Sequence, residues 1–139
     1  MKVKEAMHKG VEWVQPSAKL SEIAAIMKKH DIGSVPVGEN DRLVGMVTDR
    51  DIVCRAFTGG KDPAKLTAKD VMTAGVVYCR ESEDLAEAIR TMEQKKVRRL
   101  PVISDDKRMV GILSLGDVSH AGPREMTAEM ARAVSGHHH

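Results

Sequence analysis

Apolar residues recur in the first part of the chain with the period of an α-helix. One stripe is formed by residues at positions i, i+3, i+4 and i+7: Leu20, Ile23, Ala24 and Met27. This spacing predicts an amphipathic helix with one buried face. Ser17 lies just before the stripe and is the predicted N-cap, because a serine hydroxyl accepts a free N–H of the first turn.

The pattern then changes to that of a hairpin followed by a second helix. Residues 32–37 contain Pro36, and residues before a proline favour β geometry, so a strand is predicted there. Residues 39–41 form a predicted turn, and residues 43–47 form the second strand. A helix is predicted over residues 49–57, since two glycines follow it.

The two ends of the chain carry weaker patterns. Residues 3–7 form a short apolar start, and residues 11–14 alternate in a way that predicts a strand. Residues 121–136 predict a C-terminal helix with apolar residues roughly on one face. A packing helix and a dimer contact are equal alternatives for it, because an amphipathic face does not reveal what covers it.

The same landmarks occur twice along the chain. A shift of 65 residues relates Met7 to Met72, Leu20 to Leu85, Met27 to Met92 and Pro36 to Pro101. One extra residue in the second turn makes the later shift 66. We therefore predict an internal duplication, with repeat 1 over residues 1–60, a linker over 61–68 and repeat 2 over 69–120. The three terminal histidines, residues 137–139, are set aside as either a native end or the remnant of a purification tag.

Each repeat reads β-α-β-β-α, which predicts an α+β, sandwich-like fold. One copy of about 60 residues buries too little surface to be stable alone. We therefore expect two repeats that are related by a pseudo-twofold axis and packed through their sheets.

Each repeat also carries a glycine, a hydroxyl three residues later and an aspartate after three more. The residues are Gly45, Thr48 and Asp51 in the first repeat, and Gly111, Ser114 and Asp117 in the second. A hydroxyl beside the free N–H groups of a helix start suits an anion, and an ionised carboxylate can accept hydrogen bonds from a sugar diol. Either hydroxyl taken alone fits a plain N-cap equally well. Because the motif recurs at equivalent places, we predict two ligand sites, the first-repeat site (Thr48, Asp51) and the second-repeat site (Ser114, Asp117).

Composition excludes several other classes of protein. The 139 residues are 42% hydrophobic and 30% charged, as in soluble domains, with a net charge of +2 and only 2% aromatic residues. The small net charge does not indicate an electrostatic field that would attract nucleic acid. The few aromatic residues do not indicate surfaces on which bases could stack. No apolar run reaches a membrane span and no signal peptide is visible, so a cytoplasmic location is expected. Cys54 and Cys79 fit no metal motif and are expected to be reduced.

The tandem repeat, the two glycine-hydroxyl-aspartate motifs and the pre-proline segments at residues 32–37 and 97–102 resemble a CBS-domain pair, the Bateman module. The resemblance covers residues 3–119. The amino-acid sequence of residues 48–51 and 97–101 is similar to that of small stand-alone bacterial members of the family. Some of these members are linked to stress or hypoxia responses. The resemblance implies adenosyl ligands (AMP, ADP, ATP, sometimes NAD or S-adenosylmethionine) in clefts between the repeats. It also implies disk-shaped dimers and regulatory rather than catalytic roles.

Two arginines are candidates for holding a phosphate. Arg98 and Arg99 precede a strand that is expected to be buried, and a guanidinium fork suits phosphate. The resemblance favours Arg99 for the second-repeat site, whereas for Arg98 a surface ion pair is an equal alternative. Ser34 is the equivalent of Arg99 in the first repeat, so the first-repeat site is expected to be weaker. Arg50, next to Asp51, could partly compensate for the missing cation.

The adenine base requires apolar walls, which must be aliphatic here because aromatic residues are scarce. The resemblance places the base of each site against the other repeat. For the second-repeat site the expected residues are Met7, Gly33, Ser34, Val35 and Pro36. For the first-repeat site they are Met72, Thr73, Val77 and Leu100. Core packing is the alternative for the two methionines, Val77 and Leu100.

The sequence therefore predicts a regulatory module that binds AMP, ADP, ATP or NAD and acts as an energy or stress sensor on an effector protein in trans. We expect a homodimer with no required cofactor, no catalytic residue, no metal, and no nucleic-acid or membrane partner. The alternative is a protein-interaction or structural module with vestigial nucleotide clefts. An enzyme ranks third, because one carboxylate per site without a base or metal set is too little for catalysis.

Overall fold

The computed structural model of the chain describes residues 1–10 and 12–121. In chain order its elements are α1 (Val3–Ala6), β1 (His8–Lys9), α2 (Leu20–His30), β2 (Ser34–Glu39), β3 (Arg42–Thr48), α3 (Asp49–Ala56), a 3-10 turn (Pro63–Lys65), α4 (Ala68–Val71), β4 (Cys79–Arg80), α5 (Leu85–Lys95), β5 (Arg99–Ile103), β6 (Met109–Ser114) and α6 (Leu115–Ala121). The mixed α and β composition that the sequence predicted is confirmed. None of the helices in the described ranges has the length and apolar character needed to cross a membrane.

These elements form two compact units that differ from the sequence repeats. One unit combines residues 1–10 with residues 77–121, and the other is Glu12–Val76. The first residues of each repeat thus contact the strands of the other repeat. The repeat boundaries describe the sequence, whereas the units describe where contacts are made.

The unit Glu12–Val76 is built on the β2–β3 hairpin. The strands are antiparallel, with Ser34 directly opposite Thr48. Asn40 and Asp41 in the turn have positive φ angles of 55° and 63°, which these two residue types tolerate well. The core beneath the hairpin contains the buried residues Val14, Ala18, Leu20, Ile23, Met27, Val35, Val37, Val47, Ala56, Leu66, Ala68 and Val71.

The other unit contains a four-stranded sheet in the order β1-β6-β5-β4. β5 pairs antiparallel with β6, with Arg99 opposite Ser114, and β4 pairs parallel with β5. Helices α1 and α5 contribute to its core, which contains the buried residues Val3, Cys79, Leu85, Ala88, Ile89, Met92, Leu100, Val102, Leu113 and Val118. The β5–β6 pairing repeats the register of β2–β3, so Arg99 and Ser34 occupy equivalent places.

Two local predictions were wrong in the first repeat. α2 begins at Leu20 with Lys19 as its N-cap, not at Ser17. The carbonyl of Ala18 accepts the N–H of Ala68, and Lys19 forms a bridge with Thr67, so residues 18 and 19 are held extended before the helix starts. Ala24, which was assigned to the buried stripe, is exposed.

The predicted strand over residues 11–14 is reduced to one bridge, which joins Val14 to Val37. Within the described part of this segment, Glu12 and Trp13 have no regular structure. Residue 11 and the predicted helix at 121–136, apart from its first residue, lie outside the described residues, as do the terminal histidines.

Candidate functional site

The hydroxyl and carboxylate of the first motif form a reciprocal pair at the start of α3. Thr48 Oγ1 accepts the backbone N–H of Asp51 at 3.0 Å, and Asp51 Oδ2 accepts the backbone N–H of Thr48 at 2.9 Å. This capping box satisfies two backbone donors that would otherwise be unpaired. Both residues are half-buried, so they remain open to a ligand from one side.

The second motif has the same geometry. Ser114 Oγ accepts the N–H of Asp117 at 3.1 Å, and Asp117 Oδ2 accepts the N–H of Ser114 at 2.9 Å. A hydroxyl that accepts one hydrogen bond still has its own hydrogen to donate. A carboxylate whose Oδ2 is used still has Oδ1 free to accept. Capping and ligand binding are therefore compatible in both motifs.

A third pair with this spacing shows that capping alone does not mark a site. Thr67 and Asp70 form a capping box at α4, where Asp70 Oδ2 accepts the N–H of Thr67 at 2.8 Å. The backbone and side-chain hydrogen bonds from Thr67 lower the pKa of Asp70. The position three residues before Thr67 is Ala64, so this third pair lacks the glycine of the two predicted sites.

The glycine of each predicted site permits close approach of a methionine segment. A Cβ on Gly45 would lie 2.5 Å from Met72 Sδ and 3.2 Å from the Thr73 carbonyl oxygen. The backbones of Met46 and Thr73 exchange hydrogen bonds of 2.9 and 3.0 Å. Met72 and Thr73 therefore lie against β3, the strand that leads into the first-repeat site.

The second-repeat site has the equivalent arrangement on β6. A Cβ on Gly111 would lie 2.7 Å from Met7 Sδ and 2.8 Å from the His8 carbonyl oxygen. His8 pairs with Ile112 and Lys9 with Gly111. Met7 thus lies beside the strand that ends at Ser114. The predicted association of each methionine with its site is compatible with this placement, although a role in ligand binding stays a prediction.

The strand register determines which side chain faces each hydroxyl. Directly paired residues of antiparallel strands project from the same face, so Arg99 shares a face with Ser114, and Ser34 shares a face with Thr48. Among residues 1–10 and 12–121, no carboxylate forms an ion pair with Arg98 or Arg99. The surface ion pair considered for Arg98 is thus not found in the described part of the chain.

One charged contact was missed by the sequence reasoning. Arg55 Nε lies 3.7 Å from Asp51 Oδ1, and Arg55 Nη1 donates to the carbonyl oxygens of Val71 at 3.4 Å and Met72 at 3.2 Å. The i, i+4 spacing of Asp51 and Arg55 on a helix was the available signal. Ala121 is the equivalent of Arg55 in the second repeat, so the position four residues after Asp117 is not an arginine.

Several predicted adenine-site residues are core residues of their own units. Val35 and Leu100 have no exposed side-chain surface, and Val77 packs partly buried against the core that contains Leu100. Both residues are fully buried within their own units, so their predicted roles in ligand binding stay predictions. Val77 and Leu100 belong to a different unit from Thr48, so their grouping with the first-repeat site stays a prediction.

The described residues contain no group of three or more His, Cys, Asp or Glu side chains that could hold a metal ion. Cys54 is exposed and Cys79 is buried, and both are free thiols. Burial, with a smaller contribution from Glu83, raises the pKa of Cys79 to about 12.

A family model described as the CBS domain matches residues 3–56 and 68–124 of the chain. Each match contains one complete glycine-hydroxyl-aspartate motif. The chain belongs to the CBS-domain family. The resemblance drawn from the motifs is thereby confirmed, and the two family matches correspond to the two repeats of a CBS pair.

A relative of this CBS pair is Hypoxic response protein 1 of Mycobacterium tuberculosis, 36% identical over 132 residues that cover 94% of this chain and 92% of the relative. The crystal structure of Hypoxic Response Protein I with two coordinated zinc ions superposes with a TM-score of 0.79 at 37% identity, covering 88% of this chain and all of the other. The zinc ions are a property of that protein.

Two further structures similar to this CBS pair hold adenosyl compounds. CBSX2 in complex with AMP has a TM-score of 0.76 and 28% identity, covering 86% of this chain and 94% of that one. The CBS domain pair of protein MJ0100, in complex with 5′-methylthioadenosine and S-adenosyl-L-methionine, has a TM-score of 0.73 and 27% identity, with the same coverages.

Proposed function

We propose that the protein is a regulatory module that binds an adenosyl ligand and catalyses no reaction of its own. AMP, ADP and ATP are the principal candidates, with NAD as another, and the ligand is a regulatory signal rather than a required cofactor. Binding shifts the population of conformations that an effector protein recognises in trans, as an energy or stress sensor would. The AMP and S-adenosylmethionine complexes of similar CBS pairs support the ligand class.

Hydrogen-bond accounting supports the same proposal at the second-repeat site. With its oxygen occupied by the Asp117 N–H, the Ser114 hydroxyl is left to donate its hydrogen to a phosphate oxygen. With Oδ2 occupied by the Ser114 N–H, Asp117 is left to accept from a ribose hydroxyl through Oδ1. The two side chains thus offer complementary groups to a 5′-phosphorylated nucleoside.

The observation that carries the proposal is the position of Arg99. It lies directly opposite Ser114, is half-buried, and has no carboxylate partner among the described residues. A half-buried guanidinium without an anion is unfavourable, and a phosphate would supply one in bidentate geometry. No requirement of the local fold accounts for an arginine here, since the equivalent residue of the first repeat is Ser34.

Calorimetric titration of the purified protein tests this proposal. AMP, ADP, ATP, NAD and S-adenosylmethionine are titrated into the wild type and into Asp117→Asn. Asparagine keeps one oxygen for the capping hydrogen bond but loses the second acceptor, so we expect at least one ligand to bind the wild type about tenfold or more tightly than this variant. Asp70→Asn is the matched control, because it alters an equivalent capping box on a helix that contributes no residue to the second-repeat site.

Asp51→Asn extends the experiment to the other motif. If the second-repeat site is the stronger one, Asp51→Asn leaves the tightest AMP binding intact, whereas Arg99→Ser weakens it. Equal losses in Asp51→Asn and Asp117→Asn would contradict the assignment of Arg99 to the second-repeat site.

A protein-interaction module is the second candidate function. Val53 and Phe57 are four residues apart at the end of α3 and are 62% and 68% exposed, which gives an apolar pair that a partner could cover. The absence of both heat and thermal stabilisation with all five ligands would favour this candidate. Light scattering of the wild type and of Val53→Asp and Phe57→Asp would then test whether the expected homodimer uses that surface.

A further inference from the structure

The first-repeat site has an uncharged residue where the second-repeat site has a cation: Ser34 is opposite Thr48, and Arg99 is opposite Ser114. The Asp49 N–H donates to the Gly33 carbonyl at 2.9 Å, and Asp49 Oδ2 lies 3.0 Å from the place that a Cβ on Gly33 would occupy. The Asp49 carboxylate therefore covers Gly33, next to Ser34. Because successive side chains of an extended segment project to opposite faces, this carboxylate lies on the other face from Ser34 and supplies no charge opposite the Thr48 hydroxyl.

The equivalent backbone contact in the other unit carries different side chains. The N–H of Leu115 donates to the carbonyl of Arg98 at 2.9 Å, so Leu115 replaces Asp49 and Arg98 replaces Gly33. The next strand residue is Arg99, opposite Ser114, where the first repeat has Ser34. The backbone pairing is the same at both places, while the residue opposite the hydroxyl changes from an uncharged serine to a cationic arginine.

The cations of the first repeat do not reverse this difference. Arg55 contacts the Asp51 carboxylate and donates to two carbonyls at the end of α4, so it lies at the sugar-binding side chain rather than opposite Thr48. Arg50 is exposed at the second residue of α3. The first repeat therefore has no cation at the register position opposite Thr48, whereas the second repeat has Arg99 opposite Ser114.

We infer that the two sites select different 5′ substituents on the same nucleoside. The first-repeat site takes an adenosyl ligand without a phosphate, such as 5′-methylthioadenosine, and the second-repeat site takes a 5′-phosphorylated one, such as AMP. The inference rests on the proposed function, because both sites must bind adenosyl ligands. Its physical basis is that a phosphate dianion gains a charge-assisted hydrogen bond at Arg99, whereas the equivalent position of the first-repeat site is the uncharged Ser34.

AMP and 5′-methylthioadenosine form a suitable pair of probes, since they share adenine and ribose and differ at the 5′ position. Asp117→Asn removes the second-repeat site, so calorimetric titration of this variant measures the first-repeat site. We expect 5′-methylthioadenosine to bind it at least as tightly as AMP. Asp51→Asn should show the opposite order, with AMP preferred by about 10- to 100-fold, the range of one charge-assisted hydrogen bond.

A gain-of-function substitution tests the cause. Adding Ser34→Arg to the Asp117→Asn protein places a guanidinium opposite Thr48. AMP affinity should rise by about tenfold or more and become salt-sensitive, while affinity for 5′-methylthioadenosine stays constant. Ser34→Gln is the matched control, because it has a long polar side chain without the charge, and circular dichroism verifies that each variant is folded.

The outcomes separate the two proposals. If no adenosyl ligand binds the wild type, the proposed function fails and the inference fails with it. If the wild type binds AMP but the Asp117→Asn protein binds neither probe, prefers AMP, or does not respond to Ser34→Arg, the inference is wrong and the proposed function stands.

Discussion

A methyl group should destabilise the protein more at Gly111 than at Gly45, although the two glycines are equivalent in sequence. The added Cβ of Gly111→Ala would lie 2.8 Å from the backbone oxygen of His8, a separation that real Cβ atoms essentially never show. Moving that oxygen means moving β1, which pairs with β6 at this point. At Gly45 the nearest atom is Met72 Sδ at 2.5 Å, the far part of a flexible side chain, and the nearest backbone oxygen is 3.2 Å away.

The expected magnitudes follow from these contacts. Overpacking costs about 1–3 kcal/mol, and we assign the upper part of this range to Gly111→Ala and the lower part to Gly45→Ala. Replacing glycine by alanine also lowers the entropy of the unfolded chain, which offsets the loss by about 0.4–1 kcal/mol in each variant. The expected net losses are thus about 1–2.5 kcal/mol at Gly111 and about 0–1 kcal/mol at Gly45.

Urea unfolding followed by far-UV circular dichroism measures both free energies. A double-mutant cycle then identifies the clashing atoms. Met72→Ala should remove most of the penalty of Gly45→Ala. Met7→Ala should remove only part of the penalty of Gly111→Ala, because the His8 oxygen remains in place. Equal losses in the two single variants, or full relief by Met7→Ala, would refute the argument that the backbone contact dominates at Gly111.

Four further predictions concern the caps, the charged contact and the two thiols. Thr48→Ala and Ser114→Ala should each destabilise the protein by about 0.5–2 kcal/mol in urea unfolding, and the Thr/Ser exchange at either position should restore most of it. Arg55→Ala should cost about 1 kcal/mol and Arg55→Lys nearly as much, because only the guanidinium fork spans a carboxylate and two carbonyls; the side chain is half exposed, which keeps the value small. Iodoacetamide at pH 8 should label Cys54 quickly and Cys79 only in urea, and slow labelling of Cys54 would contradict its exposure. Because the folded state raises the pKa of Cys79 from 9.0 to about 12, stability should be unaffected by this group below pH 9 and should fall as the pH rises through that interval, a slope that Cys79→Ala removes.

The parts of the fold that depend on local chemistry were predictable from the sequence. The hairpins and the helices around them follow from periodicity, proline and turn residues. The start of α2 was not predictable, because a serine in a capping position was overridden by the pairing of residues 18 and 19 with the chain near Thr67. The division into units was not predictable either, since residues 1–10 join the second repeat through contacts about a hundred residues apart in sequence.

The candidate site was only partly predictable from the sequence. The recurrence of the glycine-hydroxyl-aspartate motif 66 residues later was enough to identify Thr48, Asp51 and their counterparts in the second repeat. The contact of Arg55 with Asp51 depends on the helix geometry of α3 and on where the end of α4 lies. The carboxylate of Asp49 over Gly33 depends on the strand-to-helix hydrogen bond between the same two residues. The i, i+4 spacing of Asp51 and Arg55 was a signal in the sequence, whereas the contact of Arg55 with α4 and that of Asp49 with Gly33 depend on distances between separate elements.

The structure also changes which residues carry functional information. Capping accounts for the hydroxyl and the aspartate of each motif, as the third box at Thr67 demonstrates. Close approach of a methionine segment accounts for each glycine. All three residues of the motif thus have a structural role in the fold. The motif would therefore be retained in a repeat that bound no ligand. Arg99 has no such reason, since the equivalent register position is occupied by Ser34 without change of fold. The residue facing the hydroxyl across the strands, rather than the motif itself, is therefore the position at which the two sites can be distinguished.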